Sequence, residues 1–152
     1  MKTLINDAKH KLKNPSAVRV GLCPNDYLKN LSLGQDISVG YKSKTGEFVY
    51  QGKSSAGGEC FEEGDIIGLC YSFSPPDRYQ NQDLLWEGSY FVITKNGKPI
   101  ARWDQIHQSF YSPAVSLYNH AKVELRYKRE QMDFLPESYT PYYDMLKEEV
   151  TY

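Results

Sequence analysis

Three histidines, His10, His107 and His120, and three cysteines, Cys23, Cys60 and Cys70, are the side chains of this chain suited to moving a proton, attacking a carbonyl or holding a soft metal near neutral pH. Each of those chemistries needs a second group at a set spacing. No two cysteines form a Cys-x-x-Cys pair, and no histidine stands at zinc-ligand distance from one, so neither a metal site nor a disulfide framework is expected. The thiols read as reduced and packed, and the histidines as surface residues. The adjacent carboxylates Glu62/Glu63 and Glu148/Glu149 would face opposite ways on a strand, which rules them out as an acid and base pair. Gly57-Gly58 lacks the following helix that a phosphate cradle requires and reads as a turn. There is no nucleophile elbow, nucleotide-binding loop, His-Glu-x-x-His run or dinucleotide fingerprint. No catalytic residue, metal or cofactor is expected. Asn30-Leu31-Ser32 matches a glycosylation sequon, but its use is not expected beside a cytosolic cysteine pattern.

Charge offers a different chemistry. The formal net charge is only -1, yet residues 1–53 carry nine Lys/Arg against four Asp/Glu, and residues 54–152 carry nine against fifteen. A basic first third suits an acidic partner or a solvated face, and the total is too small for a nucleic-acid footprint. The thirteen tyrosines could serve a recognition surface or a core, because tyrosine brings large area at low entropy cost.

The elements that would position these residues are strands. With 152 residues, 40% hydrophobic and 24% charged, the chain is sized for one globular core. No run approaches the roughly 18 apolar residues of a membrane span, and no apolar stretch near Met1 resembles a secretory signal, so an intracellular protein is expected. Residues 121–127 alternate apolar and polar without a break, which predicts a strand with one buried face. Residues 90–94 are β-branched and aromatic and run into Asn96-Gly97, a hairpin signal with a return strand at 99–101. Further short strands are expected at 17–22, 37–42, 47–51, 66–73 and 113–118, separated by Gly, Pro and Asn. Gly64-Asp65 is expected to form a tight turn, from which 66–73 enters the space between two sheets as a buried strand. One helical turn is expected at 103–106 and a helix at 142–150. The polar connection 74–88 is expected to be a mobile loop. The fold class that follows is all-β, an antiparallel sandwich with little helix.

The order of these pieces resembles the SPRY domain family. The residues that carry the likeness are SVGYKSKTGEFVYQGKSSAGGECFEEGDIIGLCYSF, then YFVITKNGKPIARWDQI, then FYSPAVSLYNHAKVELRY. Ser43-Lys44-Thr45-Gly46, the Ser-Pro-Pro-Asp after residue 73, and Tyr111-Ser112-Pro113-Ala114-Val115-Ser116-Leu117-Tyr118 make it most similar to the absent-small-homeotic-two type of SPRY subunit in trithorax-group, COMPASS-like histone lysine methyltransferase complexes. The resemblance covers residues 17–127. It implies a SPRY domain over 1–136 that lacks its first strands, with the loop 74–88 inside it and a C-terminal extension at 137–152.

In function, the resemblance implies a nuclear, non-catalytic scaffold of transcription regulation. It would bind an acidic and aromatic segment of a WD-repeat partner and support the SET-domain enzyme that methylates histone lysine four. It would not contact nucleic acid or membrane directly. The family's basic pocket would fall on Arg19, Lys42 and Lys44, with Gln35 and Ser32 where the family has an aromatic residue and a proline. Tyr27, Tyr41 and Tyr50 are the expected replacements for that aromatic surface. The alternative is a SPRY substrate receptor that holds short peptides for a ubiquitin ligase.

Overall fold

The computed structural model describes residues 17–26, 32–73 and 82–144. Among them lie eight strands: β1 (Ala17–Pro24), β2 (Val39–Lys42), β3 (Glu47–Tyr50), β4 (Lys53–Ala56), β5 (Ile67–Ser72), β6 (Tyr90–Lys95), β7 (Lys98–Trp103) and β8 (Tyr111–Tyr118). They form two antiparallel sheets, one ordered β4-β3-β2-β1-β8 and the other β5-β6-β7. The fold is all-β with little helix, as the sequence pattern implies. Among the described residues no helix is long and apolar enough to cross a membrane.

Alternation decides which side chains meet between the sheets. Val20 and Leu22 of β1, Val39 and Tyr41 of β2, and Phe48 and Tyr50 of β3 point inward to Phe91 and Ile93 of β6 and Ala101 of β7. Phe48 sits at the centre, edge-on to Phe91 at 5.6 Å and tilted against Trp103 at 5.1 Å. Leu22, Val39, Tyr41, Phe91, Ile93 and Ile106 are fully buried.

The Asn96-Gly97 turn forms as expected, with φ of 51° and 84° at its two central residues. Asp65 ties the preceding charged turn to that hairpin. Its carboxylate accepts the Glu62 amide at 2.9 Å and the Asn96 side-chain amide at 3.1 Å. Asn96 Oδ1 in turn accepts the Ile66 amide at 2.9 Å.

Several expectations are corrected. Residues 121–127 join no sheet among the described residues, and Lys122 through Tyr127 are exposed. Alternation reports which side chains a strand could bury, and it carries no information on whether a neighbouring ladder is present. Strand β5 does not run fully buried between sheets: it is an edge strand in which only Cys70 is buried. Residues 103–106 are not helical, since β7 runs to Trp103 and the chain then continues irregularly to the buried Ile106. Strand β4, a fully exposed Lys-Ser-Ser-Ala, has no apolar pattern to announce it. It exists because Gln51 and Gly52, with φ of 51° and 74°, form a second two-residue hairpin turn.

The described part of the connection 74–88 is anchored, with Trp86 buried and stacked on Phe73 at 4.9 Å and Leu85 bridged to His107. His107 is no surface residue, for its ring stacks on Tyr50 at 5.5 Å and its Nδ1 is buried without a hydrogen-bond partner among the described residues. Cys60 is exposed, whereas Cys70 is buried and Cys23 half-buried. Of the helix expected at 142–150, residues 142–144 are helical and the remainder lies outside the described residues, as do His10 and Tyr27.

Candidate functional site

Arg19 lies on the outer face of the five-stranded sheet, because Val18 and Val20 on either side of it turn toward the core. The register places Lys42 of β2 directly opposite it on one side and Ser116 of β8 on the other. Two cations and a hydroxyl therefore stand in one row across three strands. Alternation carries Tyr118 to the same face, and the Arg19 guanidinium sits 5.3 Å from the centre of its ring. The Tyr118 hydroxyl is buried and has no hydrogen-bond partner among the described residues.

A loop over residues 32–38 roofs this row. Leu33 is 3% exposed and rests on Gly40, where an added Cβ would come within 3.0 Å of the leucine. Both backbone groups of Leu33 are bound by the row beneath: Arg19 Nη1 donates to its carbonyl at 2.9 Å, and its amide donates to Ser116 Oγ at 3.0 Å. The loop closes on itself through Ser38, whose Oγ accepts the Gly34 amide at 2.9 Å and donates to the Gln35 carbonyl at 2.7 Å. Arg19 is thus both a charge on the face and a clamp on its roof.

Lys42 reaches toward β4, where its ammonium donates to Ser54 Oγ at 2.9 Å. Among the described residues no carboxylate is ion-paired with Arg19, Lys42 or Lys44. Lys44 stands apart from the row. It occupies the exposed turn after β2, accepts a bond from Cys60 Sγ through its carbonyl at 3.0 Å, and lines the cleft between the sheets. Ser32 is half-buried beside Leu33, and Gln35 is exposed with its side chain near Gly52 in the β3–β4 turn. The structure therefore brings Arg19 and Lys42 together, sets Ser32 and Gln35 on the roofing loop, and leaves Lys44 outside.

Of the tyrosines expected to supply aromatic surface, Tyr41 and Tyr50 are buried instead, and Tyr27 lies outside the described residues. Tyr41 points inward and donates its hydroxyl to the Glu59 carbonyl, and burial, aided by the charges of Cys60 and Glu59, pushes its pKa up to about 12. Tyr50 is 7% exposed against Trp103. The aromatic residue at the site is Tyr118, which the sequence placed on a strand but could not assign to a face without the β1–β8 register. The partly and fully buried thiols are poor nucleophiles: burial, and for Cys23 also the Asp26 charge, raises the pKa of Cys23 and Cys70. Among the described residues no group of three His, Cys, Asp or Glu side chains is placed to hold a metal.

The second concave feature is a cleft of about 1660 Å³ between the sheets. Ile67, Leu69 and Tyr71 of β5 form one wall, Val18, Val20 and Val115 form the other, and residues 120–127 line its mouth. No protein-family model matches the chain, and no curated protein matches it.

Proposed function

We propose that this chain is a non-catalytic protein-interaction module that binds an acidic, aromatic segment of a partner protein across the outer face of β1, β2 and β8. The observation that carries this reading is the Arg19–Lys42 pair, two cations in facing register with no carboxylate bound to either among the described residues. Arginine keeps further N–H groups of its planar fork for a carboxylate after one is given to Leu33, and lysine adds a point charge beside it. The Tyr118 ring behind the guanidinium favours the charged group where it stands.

The resemblance of the sequence to SPRY subunits supplies the finer proposal. The partner is a WD-repeat subunit, and the pair supports a SET-domain histone lysine-four methyltransferase in the nucleus. Lys44, at the cleft, contributes long-range attraction to an acidic segment and no direct contact with the Arg19 row.

Calorimetric titration with a synthetic acidic, aromatic peptide tests the proposal. Lys42→Glu is the informative variant, because the side-chain bond it loses among the described residues is an exposed one to Ser54. Reversal of one charge in the row is expected to weaken binding at least ~10-fold at low salt and by less at high salt. Equal affinity of the unaltered and Lys42→Glu proteins at both salt concentrations would reject this face as the binding site.

A further inference from the structure

The outer face of the three-stranded sheet carries a concave site of its own, and alternation builds it. Phe91 and Ile93 of β6 turn into the core, so Tyr90, Val92 and Thr94 face outward. The register sets Cys70 of β5 and Arg102 of β7 on either side of Val92. Thr94 stands opposite Gly68, where an added Cβ would come within 2.3 Å of the threonine hydroxyl oxygen, so glycine on β5 makes room for that side chain. Pro136 and Tyr139, from the segment after β8, add a wall, and these groups line a pocket of about 510 Å³. Small-molecule sites are typically about 300–1,000 Å³, mostly apolar, with a few convergent polar groups.

The polar groups here are few and held in place. The Arg102 guanidinium lies 4.1 Å from the centre of the Tyr90 ring, and its Nε donates to Asp104 Oδ1 at 2.8 Å. Asp104 thus meets the fork from its Nε side, and among the described residues neither Nη group is bonded. Tyr90 and Tyr139 share a hydrogen bond of 3.0 Å between their hydroxyls. One hydroxyl hydrogen serves that bond and the other is left to donate. Burial, and after it the Tyr90 bond, pushes the Tyr139 pKa up to about 12, and burial raises that of Cys70. Near neutral pH the pocket therefore presents the Arg102 charge beside an uncharged Tyr139 and an uncharged Cys70.

We propose that this pocket binds a small aromatic carboxylate, with the carboxylate on the Nη groups of Arg102 and the ring against Val92, Pro99 and Pro136. A planar guanidinium offers parallel N–H groups that match the two oxygens of a carboxylate. The proline and tyrosine walls present flat apolar faces, which suit a ring better than a flexible chain. The volume is that of a free small molecule such as a bicyclic acid. The site lies on β5, β6 and β7, whereas the Arg19 row lies on the other sheet, so it stands whether or not that row binds a peptide.

Amide chemical-shift titration of the isotope-labelled full chain tests this, with naphthoate as the probe and naphthalenemethanol as its uncharged counterpart. Naphthoate should give saturable shifts at Cys70, Val92, Thr94 and Ala101, and the alcohol should bind at least ~10-fold more weakly. Arg102→Gln should lower naphthoate to the affinity of the alcohol and leave the alcohol unchanged; the Arg102 side chain is 57% exposed, so the change does not open the core. No saturable shift at those positions up to millimolar naphthoate would overturn the proposal, as would equal affinity for acid and alcohol. Naphthoate binding that survives Arg102→Gln, or shifts confined to the Arg19 row or the cleft between the sheets, would overturn it too. The comparison of acid and alcohol on the unaltered chain decides alone if the variant does not fold.

Discussion

Replacing Arg19 with alanine removes two interactions at once, and the size of the loss follows from their geometry. The guanidinium bond to the Leu33 carbonyl, 2.9 Å long and partly buried, contributes about 0.5–1.5 kcal/mol net. The contact with the Tyr118 ring, at 5.3 Å, adds about 0.5–1 kcal/mol. The roof does not detach, because Leu33 keeps its amide bond to Ser116 and its seat on Gly40. The total is then about 1–2.5 kcal/mol of global stability, not the larger loss that follows from opening a core. In urea, with an m-value of about 1–3 kcal/mol/M, the midpoint moves down by ~0.3–2.5 M at unchanged m. Equilibrium unfolding followed by tryptophan fluorescence reads this directly, since Trp86 and Trp103 both pack in the sandwich. Arg19→Lys should fall between, keeping a cation over Tyr118 but losing the fork that reaches Leu33. A midpoint for Arg19→Ala within ~0.2 M of the unaltered protein would refute the clamp. A larger fall with a reduced m would show that the roof and sheet unfold as separate units.

Three further outcomes are expected. Asp65 has its pKa lowered, first by the Glu62 amide, then by Asn96 and the Lys95 charge. Its stabilisation is therefore complete above the ordinary carboxylate range and lost as pH falls through its folded value, and Asp65→Asn should flatten that part of an acid melt; an unchanged acid limb would contradict the turn assigned to Asp65. Phe91→Ala empties a fully buried site against Phe48 and should cost about 3–5 kcal/mol in urea unfolding; a loss below about 1 kcal/mol would place the core elsewhere. Gly21→Ala would set a Cβ 1.8 Å from the Val39 carbonyl oxygen and must push β1 from β2, so soluble protein with an unchanged melt would contradict the β1–β2 register.

The sequence shows some of this and conceals the rest for physical reasons. Asn96-Gly97 announces its hairpin because positive φ at two successive positions selects those residues, whereas Gln51-Gly52 makes the same turn with half of that signal and hides β4. Periodicity gives each strand a face but no neighbour; Arg19 and Lys42 are singled out by the resemblance to the SPRY family, while Tyr118 and Ser116 enter only with the β1–β8 register. Tyr41 and Tyr50 look available as aromatic surface until the phase of β2 and β3 turns them inward. For residues 121–127 the pattern is that of a strand, yet the segment pairs with no strand among the described residues, because alternation carries no information on a neighbouring ladder.

The most direct measurement is a backbone amide chemical-shift map of the isotope-labelled protein titrated with an acidic, aromatic peptide at low salt. Shifts should concentrate on Arg19, Leu33, Lys42, Ser116 and Tyr118, and should collapse when salt is raised. Saturable shifts confined to the cleft residues Ile67, Leu69 and Val115, with the Arg19 row unmoved, would contradict the binding face proposed for this chain.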